Sequence, residues 1–262
     1  MGAAPRLYVT DRLEAGADLI LPEDQARYIA AVMRRTVGDD VRLFNGEDGE
    51  WRAAIVEAGK KTLCLRCAEQ LRQQTGVPDL QLLFAPVKKA RTDFIVEKAT
   101  ELGVRAIRPV FTERSVAERV RTDRLAAIAR EAAEQTERLD LPSIHEPEKL
   151  GSALDGWEAA RPLVYCDEAG DETDSPWGGA KGRAPAALET LRERLEGASG
   201  VAVLIGPEGG FSPAERARLR AHTNVIPVSL GPRILRADTA SVAALTLVQA
   251  VWGDWSEDAR GG

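Results

Sequence analysis

The spacing of apolar residues changes about seventy-five residues into the chain, which predicts two parts. Short apolar stretches alternating with polar positions, typical of half-buried strands, occur in the first part at 7–9, 41–44, 51–56 and 63–67. Asn45-Gly46 is a hairpin turn signal, and a helix from Glu23 to about Met33 interrupts the strands. Residues 1–73 are therefore predicted to form a small β-barrel.

Beyond a polar linker, the pattern becomes apolar runs that alternate with helical periodicity. Strands are predicted at 80–85, 106–111, 163–166, 201–205 and 225–230, and helices at 92–102, 122–138, 185–195 and 239–252. This alternation is typical of a parallel α/β sheet and predicts a second domain over residues 77–255. The Gly- and acid-rich stretch 167–183 predicts a long exposed loop, a site of disorder.

The most informative stretch begins at Val201. The buried strand predicted from Val201 to Ile205 is followed by Gly206-Pro-Glu-Gly-Gly210, which cannot continue it. Ser212, Pro213 and Glu215 then have the spacing of a capping box that opens a helix. Loops of this kind lie at the carboxyl ends of strands, where α/β sheets bind ligands.

A second loop follows the next strand. Gly231-Pro232 ends that strand, and Arg233-Ile-Leu-Arg-Ala-Asp238 places two aliphatic residues between charged ones before a helix capped by Asp238 or Thr239. Two adjacent strands feeding two such loops would form one pocket. The glycines match neither a dinucleotide fingerprint nor a P-loop, so a mononucleotide-like ligand and a simple tight turn both remain open.

The amino-acid composition excludes few classes of protein. The chain has 262 residues, 44% hydrophobic and 29% charged, as in ordinary globular proteins. It has neither eighteen consecutive apolar residues nor a signal-peptide core, so we expect a cytoplasmic protein without a membrane partner. Cys64 and Cys67 lack the further ligands of a zinc signature, so buried thiols are favoured and no metal is expected.

The formal net charge of −6 excludes a protein that is basic all over. The acidic excess lies in the C-terminal part, whereas residues 77–144 carry 12 Lys and Arg against 11 Asp and Glu. Any contact with RNA must therefore come from a local basic patch.

Four stretches together carry a resemblance to a known family: Gly206-Pro-Glu-Gly-Gly-Phe-Ser212, Leu230-Gly-Pro-Arg-Ile-Leu-Arg236, Lys98-Ala-Thr-Glu-Leu-Gly-Val104 with Glu113-Arg-Ser-Val116, and Glu131-Ala-Ala-Glu-Gln135 with Arg138. The chain closely resembles the 16S ribosomal RNA uracil-N3 methyltransferases of the SPOUT superfamily. It departs from that family at Ala237-Asp-Thr-Ala240, where Thr-Glu-Thr-Ala is usual.

The resemblance implies a C-terminal trefoil-knotted SPOUT methyltransferase domain, in which strands and loops pass through one another, and an N-terminal PUA-like β-barrel. It implies S-adenosylmethionine as cofactor, N3 of a uridine in 16S ribosomal RNA or the small ribosomal subunit as target, and a homodimer. Knots are nearly absent from proteins, so elementary rules alone would favour an open, doubly wound sheet.

Site residues are expected in three groups. The cofactor pocket is expected to involve Leu204, Gly206, Pro207, Glu208, Gly209, Leu230, Gly231, Ile234, Leu235, Thr239 and Ala240. RNA contacts are expected from Arg34, Arg35, Lys88, Lys89, Arg91 and Arg114. Arg236 is the candidate for stabilising a uracil anion, and Asp238 or Glu101 for accepting the N3 proton.

Two other classes of function stay open. One is a non-catalytic RNA-binding factor of ribosome assembly that has lost the cofactor, which the intact glycine loop disfavours. The other is a Rossmann-type nucleotide enzyme, which the missing fingerprint disfavours. Titration with S-adenosylmethionine distinguishes the three.

Overall fold

The computed structural model describes residues 4–59, 61–117, 119–172, 174–175 and 178–255. The chain divides into two compact units, one of residues 1–76 with 133–141 and one of residues 77–132 with 142–262. Each unit has its own apolar core.

The first unit is a five-stranded sheet with one helical segment. Its elements are β1 (Arg6–Tyr8), β2 (Asp18–Ile20), α1 (Glu23–Arg27), a π-helical turn (Tyr28–Val32), β3 (Asp40–Phe44), β4 (Glu50–Ala58) and β5 (Leu63–Arg72). The strand order is β1-β3-β4-β5-β2, antiparallel except for the parallel pair β1 and β3. The predicted strands are all present, whereas β2 and the π-helical end of the helix were not predicted.

Residues 133–141 belong to the first unit because of what they contact. Ala133 and Leu139 form a small apolar cluster with Phe44. The Arg6 guanidinium donates hydrogen bonds to the carbonyl oxygens of Ala133 and Arg138. The predicted helix to Arg138 instead ends at Gln135. No sequence pattern had indicated that this segment would pack with Phe44 and Arg6, which lie far before it in the chain.

Arg6 and Glu50 form a buried ion pair in this unit. Glu50 is 1% exposed, and its carboxylate accepts hydrogen bonds from Nε of Arg6 at 2.5 Å and Nε of Arg72 at 3.0 Å. We expect Glu50→Gln to lower the free energy of unfolding of this unit by about 3 kcal/mol, because it removes the carboxylate closest to the buried Arg6 charge and leaves only Glu137, at 4.0 Å. Hydrogen exchange of the β3 and β4 amides would measure the change.

The exposed pair of Asp18 and Arg66 is the control for this prediction. Asp18→Asn removes an equally close carboxylate, but water replaces it, so protection of the same amides should change little. Equal losses in the two variants would contradict a special role for burial.

The second unit is a parallel sheet with helices on both faces. Its strands are β6 (Leu80–Phe84), β7 (Ala106–Phe111), β8 (Ser143–Ile144), β9 (Glu148–Lys149), β10 (Leu163–Cys166), β11 (Val201–Ile205) and β12 (Val225–Val228). Its helices are α2 (Lys89–Glu101), α3 (Thr122–Gln135), α4 (Leu150–Asp155), α5 (Ala187–Arg194), α6 (Pro213–Ala221) and α7 (Ala237–Val251). The order β12-β10-β11-β6-β7-β8, with β9 also beside β7, is parallel throughout.

Side chains along the central strands point alternately to the two faces of the sheet, which explains why helices cover both faces. Val203 and Ile205 of β11 pack into the core that contains α2, α5 and α7, whereas Ala202 and Leu204 pack into the core that contains α4 and α6. Strands buried on both faces read as continuous apolar runs, as the sequence showed. The parallel α/β sheet was thus predicted correctly, and the knot stays a prediction.

Candidate functional site

A cleft of about 1090 Å³ lies where the parallel strands of the second unit end. Strands β10, β11 and β12 are neighbours in the sheet, and residues from the segments that follow all three line the cleft. Since parallel strands end at the same edge, loops far apart in sequence meet there. The expected pocket between the two loops is present, but the expectation that adjacent strands feed them is wrong, because β10 lies between β11 and β12.

The first of these loops is the glycine loop, residues 206–211. Gly210 has a φ of 66°, which favours glycine, and its N–H donates to the Pro207 carbonyl at 2.9 Å. A Cβ on Gly206 would stand 2.6 Å from the Phe211 ring, so that position must stay bare. Ser212 and Glu215 form the predicted capping box, which fixes where α6 begins.

The second loop, residues 229–236, is held by a carboxylate from the β10 segment. Glu168 accepts hydrogen bonds from the Leu230 N–H at 2.7 Å and the Ser229 hydroxyl at 3.1 Å. Gly231 has a φ of 122°, and a Cβ there would meet nothing within 4 Å. Leu230 and Leu235 line the cleft. Glu168 anchors the backbone of their segment at its start.

Arg91 and Arg114, both expected to contact RNA, contact the glycine loop. Arg91 forms an ion pair with Glu208, and its Nε lies 3.8 Å from Asp238. Arg114 donates a hydrogen bond to the Gly209 carbonyl at 2.9 Å. Both guanidinium groups also line the cleft. They thus link the glycine loop to α2, α7 and the segment after β7.

Sequence reasoning missed a cluster of charges around Asp167. This carboxylate is 3% exposed and accepts hydrogen bonds from Nε of Arg216 at 3.0 Å and Nε of Arg220 at 2.8 Å. Arg216 also donates to the carbonyl oxygens of Ala169 and Gly170. The prediction of an exposed loop is therefore wrong at Asp167 and Gly170, which are buried, whereas Asp171 and Glu172 are exposed as predicted. Thr173, Pro176 and Trp177 lie outside the described residues.

Two signals could have found this cluster. Asp167 and Glu168 directly follow a predicted strand, as the glycine loop does, and Arg216 and Arg220 are four residues apart on one helix face. Tyr165 lies next to this cluster. Its burial, together with the Asp167 charge, raises the pKa of its phenol, which is therefore neutral near pH 7. Its ring packs edge-on against Phe211 at 5.1 Å.

The three predicted catalytic residues lie at different distances from the cleft. Arg236 lines it, is exposed, and has no hydrogen bond or ion pair from its side chain within the part of the chain that is described. Asp238 lies two residues further, in the first turn of α7, where it accepts a hydrogen bond from the Thr239 N–H. Glu101 lies at the other end of α2 from Lys89 and is paired with Lys98 at 2.7 Å. The structure does not bring Glu101 to the cleft.

The cofactor residues predicted from the sequence mostly converge. Those that line the cleft are Gly206, Pro207, Glu208, Gly209, Leu230, Ile234, Leu235 and Ala240. Leu204 is buried within β11, and neither Gly231 nor Thr239 is a lining residue. Ile205, Phe211 and Ala237 extend the apolar part of the wall and were not predicted.

Of the remaining basic residues, one lines the cleft and three do not. Lys88 lines the cleft, and Lys89 lines a second cavity. Arg34 and Arg35 follow the π-helical turn of the first unit, where Arg34 has a φ of 53°. Among the described residues, no group of three His, Cys, Asp or Glu side chains has the geometry of a metal site. No helix in the described ranges has the length and apolar character needed to cross a bilayer.

The cleft combines an apolar wall, open backbone and cations. Apolar side chains of the two loops can hold a flat, weakly polar group, while loop N–H and C=O groups offer hydrogen bonds. Arg236 and Lys88 add positive charge that no described carboxylate neutralises. Such a site suits an adenosine-like ligand next to a group on which negative charge develops.

Family comparison assigns both units. Residues 74–249 match a model described as RNA methyltransferase domain, and residues 21–66 match one described as RNA methyltransferase PUA domain. A protein called ribosomal RNA small subunit methyltransferase E from Rickettsia conorii is 32% identical over 93% of this chain and 94% of its own length. A protein of the same name from Synechocystis is 31% identical over 95% of this chain and 78% of its own length.

Solved structures give the same picture. A ribosomal RNA small subunit methyltransferase E from Neisseria gonorrhoeae, bound to S-adenosyl methionine, has a TM-score of 0.80 and 26% identity, covering 97% of this chain and 100% of that one. A putative methyltransferase from Legionella pneumophila in complex with SAM has a TM-score of 0.79 and 28% identity over the same shares. The predicted combination of an α/β domain with a PUA-like module is confirmed.

Proposed function

This chain belongs to the RNA methyltransferase family, and we propose on that premise that it methylates N3 of a uridine in 16S ribosomal RNA, with S-adenosylmethionine as methyl donor. The observation that carries the proposal is the cleft, which joins the glycine loop to the unpaired Arg236. The similar proteins from Rickettsia and Neisseria carry names that describe this class of activity.

The residues of the cleft fit S-adenosylmethionine. A Cβ on Gly209 would meet only the Arg114 side chain, at 3.6 Å, so the backbone at that point is open to a ligand. Leu230, Leu235 and Ile205 provide apolar contact for an adenine ring. When bound, the cofactor would supply an electrophilic methyl group on a sulfonium.

The chain's own groups then have separate tasks. Arg236 donates hydrogen bonds to the uracil oxygens and stabilises the negative charge that develops when N3 loses its proton. Asp238 is the carboxylate nearest in sequence to Arg236 and the candidate to accept that proton. Arg91 pairs with Glu208 and lies near Asp238, so it holds the glycine loop against the start of α7. The glycine loop and α7 thereby keep a fixed geometry around the reacting groups.

The proposed RNA partner is 16S ribosomal RNA or the small ribosomal subunit, and the PUA domain of the first unit supports binding to RNA. Arg34 and Arg35 are proposed phosphate contacts there. We also propose a homodimer, which the family resemblance implies, and a location in the cytoplasm, which is consistent with a ribosomal RNA substrate.

The proposed function predicts saturable binding of S-adenosylmethionine by calorimetry and transfer of a radiolabelled methyl group to unmodified 16S ribosomal RNA transcript. Mass mapping of the product should locate the label on uracil N3 of one nucleotide. Transcript in which that uridine is replaced by cytidine is the control, since it has no N3 proton to lose. Binding of RNA without any binding of the cofactor would instead support an assembly factor.

A further inference from the structure

A second cavity, of about 520 Å³, lies in the second unit between the start of α2 and the segment that precedes α3. Lys88, Lys89 and Thr92 line one side, and Val116, Arg119 and Val120 line the other. Its volume is in the range of small-ligand sites. The proposed methyl transfer gives this cavity no role.

Most of the described charged residues around this cavity are cations. Lys88, Lys89 and Arg119 are exposed, and none has a carboxylate partner within 4.0 Å in the parts of the chain that the structure describes. Among the described lining residues, Asp93 is the one carboxylate, and Arg124 already binds both of its oxygens, at 3.0 and 2.5 Å. In a chain with a net charge of −6, three unpaired cations around one cavity provide a local site for an anion.

The walls between these cations are apolar. Val87 and Leu125 are buried beneath the cavity, and Val116 is 67% exposed at its rim. A free phosphate would gain nothing from such walls, whereas a nucleotide has both a phosphate for the cations and a base for the apolar surface. The combination therefore favours a nucleotide over a simple anion.

The position of the cavity indicates which nucleotide. Lys88 lines both this cavity and the cleft, so the two are separated by the first residues of α2. A strand of RNA with one nucleotide in the cleft must continue past its edge. Its backbone would meet Lys88 first and then Lys89.

We infer that this second cavity binds a nucleotide of the substrate RNA that neighbours the one entering the cleft, with its phosphate between Lys89 and Arg119 and its base against Val116. The inference rests on the proposed function for the identity of the RNA. It adds a binding site outside the cleft and assigns Lys89 and Arg119 to positioning of the strand.

The test is the double variant Lys89→Ala with Arg119→Ala in the full-length protein. We expect its affinity for unmodified 16S transcript to fall about tenfold in dilute salt. Each phosphate contact with a single strand releases about 0.7 counterion on binding, and the double variant loses two such contacts. The slope of log K against log salt should therefore become shallower by about 1.4. Fluorescence anisotropy across a salt series measures both the RNA affinity and its salt slope. The affinity of the double variant for S-adenosylmethionine should not change.

Arg192→Ala with Arg194→Ala is the matched control, because it removes two exposed arginines from α5, which lines neither cavity. Val116→Ser adds a test of the apolar wall: loss of the apolar side chain without a change of charge at this exposed position should weaken RNA binding without unfolding the chain. RNA affinity and salt slope equal to those of the control would overturn the inference, and so would loss of cofactor affinity in the double variant.

Failure of the proposed function would give a different pattern. If the wild-type protein binds the transcript but methylates nothing, while the double variant still shows the shallower salt slope, the second cavity is an RNA site and the proposed reaction is wrong. If methylation proceeds normally and the double variant matches the α5 control, the reaction stands and the inference is wrong.

Discussion

Arg236→Ala is expected to lower the rate of methyl transfer about a hundredfold, with little change in affinity for S-adenosylmethionine. The side chain lines the cleft from the residue that precedes α7, and no described group pairs with it. Its charge is thus available for the uracil anion, and a positioned donor to a developing anion contributes about a hundredfold or more. Single-turnover methylation at saturating transcript and cofactor measures the chemical rate.

Arg233→Ala is the control for Arg236→Ala. Arg233 is an exposed arginine of the same loop, three residues earlier, but it is not a lining residue of the cleft. Its loss should leave the single-turnover rate unchanged. Arg236→Lys should restore activity only in part, because an ammonium cannot reproduce the planar fork of a guanidinium. A normal chemical rate in Arg236→Ala, together with weaker RNA binding, would remove Arg236 from the reaction and make it a phosphate contact.

The second large effect is expected at the glycine loop, where Gly209→Val should weaken binding of S-adenosylmethionine about a hundredfold or more. Gly209 lines the cleft, and its φ is not positive, so a branched side chain is compatible with the backbone. The Cβ has ordinary contacts, 3.6 and 3.7 Å from Arg114. The added methyl groups would therefore displace ligand or Arg114 and leave the fold intact. Calorimetric titration gives the affinity. At about 1.4 kcal/mol per tenfold, a hundredfold loss of affinity is a change of nearly 3 kcal/mol in the free energy of binding.

Gly156→Val is the matched control for this experiment. Gly156 ends α4, also has a negative φ, and a Cβ there would have an ordinary contact of 3.8 Å with the Ser152 carbonyl. It does not line the cleft, so cofactor affinity should be unchanged. Gly209→Ala should have an intermediate effect. Wild-type affinity in Gly209→Val would mean that the glycine loop serves only as a turn.

Local patterns predicted the elements that position the site. The apolar run Val201–Ile205 became β11, and the Ser212 and Glu215 capping box fixed the start of α6, because both depend on residues within one turn or strand. The start of α7 was less well predicted: Asp238 or Thr239 was the expected cap, but the helix begins at Ala237, with Arg236 as the cap residue and no side-chain hydrogen bond.

Contacts between distant residues escaped these patterns. Asp167 is buried because Arg216 and Arg220, about fifty residues later, surround it, and nothing near Asp167 in sequence indicates their presence. Glu101 lies within a motif that resembles the family, but it is the last residue of the thirteen-residue helix α2, whose other end lies at the cleft. In the same way, residues 133–141 pack with Phe44 and Arg6.

The sequence by itself determined the two-part organisation, most elements of the parallel sheet, the two loops of the cleft and, through its motifs, the family. These features follow from short-range rules of periodicity, turn chemistry and capping, which are written into neighbouring residues. Only the tertiary structure decided which charges pair: Arg91 pairs with Glu208 and Arg216 with Asp167, while Arg236 has no partner among the residues that the structure describes. Pairing of charges depends on distances through space, which the order of strands in the sheet sets and the spacing of residues along the chain does not.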